Sequence, residues 1–329
     1  MRAHPLRLSR PAPDAGIAPQ RQVSVLPVAV AERLGDIASA ALVAELETWP
    51  KPGLVSHVDS GSHDDMDHTT FRRSAGAIRP FFARLAIAGA AGAEMELLRQ
   101  IGRDAEEAML AATGGVNTHR GAIFGLGLLC AAAGAASAEG APARLSATQL
   151  TDIVARRWGD DILRGPIPLR SNGSGVLRRF GAGGARAEAA AGFPQLRGIG
   201  LPGLRRGRAL AGDEGAARVQ AIFALMAEVE DTNLLHRGGS AGLQDAQDAA
   251  RRFLDDGGVG QGDWEARAVV IHHEFIRRRL SAGGCADLLD GLDRLDMTGP
   301  VRLDGEIALD AGSGVNWREL RQEFRRPDG

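Results

Sequence analysis

Residues 118–133 read THRGAIFGLGLLCAAA, and this stretch decides the fold. From Gly121 onward it is apolar almost all round, with glycine and alanine set between the larger side chains. A helix without a polar face belongs in a core, and its small residues let neighbouring helices come close. Its neighbours carry the matching signal. Leu34, Ile37, Ala38, Ala41 and Leu42 mark one helical face, and Phe71, Ala75, Ile78, Phe82 and Leu85 mark a second, with a kink expected at Pro80. Met95, Leu98, Ile101, Ala105 and Ala108 form a third stripe. Ser146 followed by Gln149 is a capping-box pattern that opens another helix. Further helical patterns cover 213–229, 240–255, 263–279 and 284–294, while 160–205 is looser, rich in Gly, Pro and Arg. No segment alternates long enough for a strand between hairpin turns. The expected architecture is all-α: a single globular multi-helix domain with Gly-rich polar junctions lining the site.

The catalytic helical domain is expected over 29–297, with 298–329 as a loosely ordered tail in which Trp317–Phe324 forms a last helix. Residues 1–28 read as a disordered arm, carrying Arg2, Arg7, Arg10 and Arg21 among Pro5, Pro11, Pro13 and Pro19, without the apolar stretch of a secretory signal. With 39 Lys+Arg against 41 Asp+Glu the net charge is −2, and Tyr is absent. That balance excludes a general affinity for nucleic acid or acidic membranes. No run of 18 uncharged apolar residues occurs, so no membrane span is expected. Cys130 and Cys285 give neither a disulfide framework nor a zinc site, and a cytoplasmic protein is expected.

Polar residues gather where helices meet. Two prolines in Pro50-Lys51-Pro52-Gly53 end the first helix near Trp49. His63, Asp65 and Asp67 follow in a turn and make a candidate Mg²⁺ set, since a hard cation takes oxygen ligands and phosphates. The competing reading has Asp67 capping the next helix and His63 bonded to backbone. Glu45 continues the apolar stripe of its helix, so it is either paired, with Lys51 as the partner, or functional. Asn117, Thr118, His119 and Arg120 precede the apolar helix, where free N–H groups can hold a phosphate or simply be capped. Gly183 to Arg186 and Glu188 form a third cluster, which a solvated ion pair also explains. Glu230, Asp231, Thr232, Asn233, His236 and Arg237 fall within eight residues and are hard to explain by solvation alone. Asp287 lies at the start of a helix after Gly283-Gly284, complementing its dipole or pointing into a site.

Taken in order, PKPGLVSHVDSGSHDDMD, GVNTHRGAIFGLGLL, GGARAEAAAGFP, EDTNLLHRGG and SAGGCADLL resemble the triphosphoribosyl-dephospho-CoA synthases that serve malonate decarboxylase and citrate lyase, the malonate decarboxylase branch more closely. The resemblance spans about residues 40–290. It departs at Ser171-Asn172-Gly173, where a histidine is expected in the middle, and at Arg120, where the family often shows lysine. The resemblance implies an all-helical enzyme that moves a triphosphoribosyl group from ATP to the 2′-hydroxyl of 3′-dephospho-CoA and releases adenine. The product would pass to a transferase that loads an acyl-carrier protein. Glu45, Asp231 and Asp287 are then candidates for base or oxocarbenium stabiliser. Lys51, Asn117, His119, Arg120, Arg186, His236 and Arg237 are candidates for substrate binding, and His63, Asp65 and Asp67 for Mg²⁺. Two other classes stay open: a metal-dependent phosphohydrolase built on His63-Asp64, and a non-catalytic helical nucleotide-binding subunit.

Overall fold

The computed structural model describes residues 26–139, 145–167 and 172–295. Among them are twelve α-helices and no strand: α1 (Val28–Leu46), α2 (His68–Ala90), α3 (Met95–Ala112), α4 (Arg120–Ala138), α5 (Ala147–Arg164), α6 (Asn172–Phe180), α7 (Gly184–Ala190), α8 (Leu201–Ala211), α9 (Glu214–Glu228), α10 (Thr232–Asp255), α11 (Trp264–Arg277) and α12 (Gly283–Leu295). The arm to residue 25 and the tail from 296, where a helix was expected at Trp317–Phe324, lie outside the described residues.

The all-apolar stretch is α4, and it runs through the core against α2, α3, α5 and α12. By length and composition α4 alone among the described helices could cross a membrane, yet most of it is buried inside the fold. Its small residues set the packing distance. A Cβ on Gly134 would fall 1.9 Å from the Ala86 carbonyl oxygen, and one on Gly89 would fall 1.9 Å from that of Ala131. The α2 and α4 backbones therefore touch, and any side chain at either glycine would push them apart. Around this contact lie buried Ile78, Phe82, Leu85, Leu126 and Leu129, each contributing roughly 1.5–3 kcal/mol. On the far side Phe223 of α9 stacks on Phe253 of α10, with centroids 4.0 Å apart.

Local signals behave as the sequence suggests. Ser146 and Gln149 form a complete capping box on α5, and Asp67 caps α2 by accepting the Thr70 N–H. α2 carries Pro80 as one continuous helix. The loose 160–205 region is more helical than its composition suggests, holding α6, α7 and the start of α8. α10 breaks at Gly239 (φ 62°), so its second part begins where the 240–255 pattern does. The Gly239 geometry is one that side chains rarely adopt.

Candidate active site

The starts of α4, α10 and α12 come together at the C-terminal end of α1, and acids occupy the junction. Glu45, in the last turn of α1, is buried, and its partner is Lys51. The Lys51 Nζ donates to Glu45 Oε1 at 2.5 Å and to the Glu45 carbonyl oxygen at 2.7 Å, with the lysine completely buried. Asp231 precedes α10. Its Oδ1 accepts the N–H groups of Asn233 (2.7 Å) and Leu234 (3.1 Å), and its Oδ2 accepts that of Cys285 (2.8 Å) at the start of α12. One carboxylate thus ties two helix starts together. Burial pushes the Asp231 carboxyl up, and these three N–H groups pull it back down.

Asp287, one turn into α12, reaches the start of α4. Its carboxylate accepts the Ala122 N–H, and a Cβ on Gly121 would fall 1.9 Å from its Oδ2. Only glycine leaves room there. Its pKa is pushed up to about 8, first by burial and then by the negative charges of Asp231 and Glu45. Such a carboxyl holds its proton near neutrality and is a stronger base than an ordinary aspartate once it ionises. Glu45 and Asp231 lend the surroundings of Asp287 negative potential, which favours positive charge developing beside it.

On the α2 side, Ser74 Oγ lies 2.6 Å from His119 Nδ1 and accepts from Thr118 Oγ1 at 2.7 Å. The His119 ring stands edge-on to Phe71, and burial together with the Lys51 charge lowers its pKa to about 3. His119 is therefore a neutral imidazole at the floor of the junction.

The Lys51 loop is held from behind by His272 of α11, a residue the sequence reading passed over. His272 Nδ1 is 2.6 Å from the Lys51 carbonyl oxygen and 3.2 Å from the Gly53 N, and Nε2 is 3.1 Å from both carboxylate oxygens of Asp59. The available signal was an imidazole directly after the apolar run Val269, Val270, Ile271, which needs a partner if it is buried.

Several expected ligands are engaged by other groups of the protein itself. Lys51 is spent on Glu45 and has no accessible ammonium for a phosphate. Arg186 closes the C-terminal end of α5, donating to the carbonyls of Ile162, Leu163 (3.1 Å), Gly165 (2.9 Å) and Pro166 (2.8 Å). Arg237 donates to the carbonyls of Ser62 (3.1 Å) and Arg279 (3.2 Å) and to His63 Nδ1 (3.1 Å). Asn117 Oδ1 caps α4 through the Arg120 N–H at 3.2 Å, and Arg120 pairs with Glu106 at 2.7 Å. His236 is exposed on the first turns of α10.

The Mg²⁺ set does not converge. His63 uses Nδ1 for Arg237 and Nε2 for Ser281 Oγ (3.1 Å), while Asp67 is the α2 cap. Asp65 is exposed, 3.9 Å from His63. Burial and Arg237 lower the His63 pKa to about 4. No group of three His, Cys, Asp or Glu side chains among the described residues is placed to hold a metal ion. Asp64 pairs with Arg279 at 3.1 Å, and with His63 held by Arg237 and Ser281 the His63-Asp64 pair gains no further His, Cys, Asp or Glu side chain placed to hold a metal ion among the described residues. The side chain at position 172 lies outside the described residues.

Curated relatives align over most of both chains. A protein of Azotobacter vinelandii named "Probable 2-(5''-triphosphoribosyl)-3'-dephosphocoenzyme-A synthase" is 42% identical over 275 residues, covering 81% of this chain and 92% of the relative. Proteins of the same name from Pseudomonas fluorescens and Acinetobacter calcoaceticus are 40% and 37% identical, covering 83% and 79% of this chain and 94% and 88% of theirs. No solved structure matches. A family model described as ATP:dephospho-CoA triphosphoribosyl transferase matches residues 31–290, a span that holds α2 to α11 entire together with the whole acid junction, and the chain belongs to that family of transferases.

Proposed function

We propose that this chain transfers the triphosphoribosyl group of ATP to the 2′-hydroxyl of 3′-dephospho-CoA. The 2′-oxygen bonds to the anomeric carbon, the bond to adenine breaks, and adenine leaves with that electron pair and takes up a proton from solvent. The hydroxyl proton passes to Asp287. A β-nucleoside giving an α-linked product calls for one inverting displacement. The observation that carries this reading is Asp287 itself, a half-buried carboxyl with its pKa near 8, set against the start of α4 with Glu45 and Asp231 behind it. A raised carboxyl serves as base, and the acids behind it favour oxocarbenium charge. The names of the relatives support the substrates. Mg²⁺ enters with the triphosphate as part of the substrate, a reading supported by the lack of a converging ligand set among the described residues. The product serves a transferase that loads an acyl-carrier protein, of malonate decarboxylase in preference to citrate lyase, as the five motif segments suggest. The balanced charge and the buried α4 support a cytoplasmic enzyme.

Incubation with ATP, Mg²⁺ and 3′-dephospho-CoA, followed by mass spectrometry, tests the proposal. Free adenine, appearing only with dephospho-CoA and in step with the adduct, is the expected result. Stoichiometric pyrophosphate, ADP or phosphate would sink it.

A further inference from the structure

His272 has no place in the transfer step as described, yet it is completely buried and all its polar contacts go to one loop. Its Nδ1 lies 2.6 Å from the Lys51 carbonyl oxygen, to which it donates when it carries the proton, and 3.2 Å from the Gly53 N, whose N–H it accepts when it does not; its Nε2 lies 3.1 Å from the Asp59 carboxylate, and Trp49 packs edge-on to the ring at 4.5 Å between centroids. A single ring on α11 therefore grips the chain at Lys51, Gly53 and Asp59. From the same Lys51 the side chain runs to Glu45. Burying an imidazole is costly unless its polar atoms find partners, and here every polar contact goes to the Lys51–Asp59 loop.

We propose that His272 is a positioning residue for the transfer reaction: through the Lys51–Asp59 loop it holds the Lys51 ammonium on Glu45, beside Asp287. The inference rests on Asp287 as the proton acceptor. The groups facing Asp287 are Glu45 from α1, Asp231 before α10 and the Ala122 N–H of α4, with Cys285 on its own helix. Lys51 acts through Glu45, and the neutral His119 adds no charge. If the loop slips, Glu45 loses its counter-charge and Asp287 keeps its proton to higher pH.

The test compares wild type with His272→Gln, His272→Asn and Asp59→Asn in the full chain. Two readouts are needed: the pH dependence of kcat and KM for adenine release, and the titration of the Asp287 carboxyl by NMR on ¹³C-aspartate protein, its signal identified by loss in Asp287→Asn. His272→Gln is expected to raise the Asp287 midpoint and the rising limb of kcat by about one pH unit. At pH 7 that equals a roughly tenfold fall in kcat, with KM for ATP nearly unchanged. His272→Asn, which keeps a donor near the Lys51 carbonyl, recovers part of the shift. A kcat loss that follows the folded fraction, with the Asp287 midpoint unmoved, overturns the proposal. If His272→Gln does not fold, Asp59→Asn loosens the same grip from the solvent side and must shift the midpoint in the same direction; an unmoved midpoint overturns it. Absence of adenine release by wild type would count against the transferase reading alone, because the carboxyl titration still decides the positioning role.

Discussion

The Asp231 carboxylate accepts the backbone N–H of Cys285 at 2.8 Å, across 54 residues of sequence, while its other oxygen caps α10. Each helix start leaves backbone donors without partners, and one acid here serves two of them. Asp231 therefore fixes where α12 begins, and with it the position of Asp287.

Asp231→Asn removes the charge and turns an amide NH₂ toward at least one of those donors. Leaving a buried N–H without an acceptor costs about 1–3 kcal/mol. Urea melts are expected to show a loss of that size, accompanied by lower turnover because Asp287 moves with α12. Normal stability with turnover down by several orders of magnitude would instead make Asp231 the base.

Asp287→Asn keeps the shape and removes the proton acceptor, so adenine release should fall by roughly 10²–10⁴ while the fold persists. Its stability effect has a definite sign. The unfolded chain gives up this proton near the ordinary aspartate value, whereas the folded chain holds it to about pH 8. The folded state thus binds more protons in between, and wild-type stability declines as pH rises through that window. The melting temperature of Asp287→Asn should gain on wild type from about pH 4 to pH 8. A pH-independent difference would show that the carboxyl is not held up by its surroundings.

What the sequence discloses depends on how local the cause is. The α4 core helix, the Ser146 cap and the Glu45–Lys51 pair were legible, because periodicity, capping and a short reach along the chain all act within a few residues. His272 was harder to read, since its partner Lys51 lies 221 residues away and the apolar residues before it hint at burial without naming that partner. Arg186 resembled a phosphate ligand because the carbonyl ends of a helix have no signature of their own. Among the candidate acids, sequence named Glu45, Asp231 and Asp287 together, but only packing separates them into a paired acid, a double cap and a raised carboxyl.

Gly121→Ala tests the Asp287 contact from the opposite side. Gly121 stands in the first turn of α4 and is not among the glycines with positive φ, so the backbone of α4 itself accepts alanine. The new Cβ would nevertheless sit 1.9 Å from Asp287 Oδ2 and must displace it. Turnover is expected to fall at least about tenfold, as for a base moved from its working position, with a much smaller change in thermal stability. Wild-type kcat in this variant would show that Asp287 does not act where it stands.

Asp67 decides between a metal site and a helix cap. Its Oδ1 accepts from both the Thr70 N–H (2.8 Å) and the Thr70 hydroxyl (2.7 Å), and these bonds hold its pKa below the ordinary aspartate value. As an N-cap, asparagine replaces aspartate almost without loss, whereas alanine costs about 0.5–2 kcal/mol. Asp67→Ala should therefore lower stability by that amount and Asp67→Asn hardly at all. The sign with pH follows from the depressed pKa: the charged cap contributes above the unfolded value, and its share is lost as pH falls through the folded one. The gap between wild type and Asp67→Ala should accordingly narrow in acid. Neither variant should change the Mg²⁺ concentration that half-saturates turnover, because the ion arrives on ATP. A rise in that concentration for Asp67→Asn, at unchanged stability, would return Asp67 to the metal and require the turn at residues 63–67 to rearrange when substrate binds.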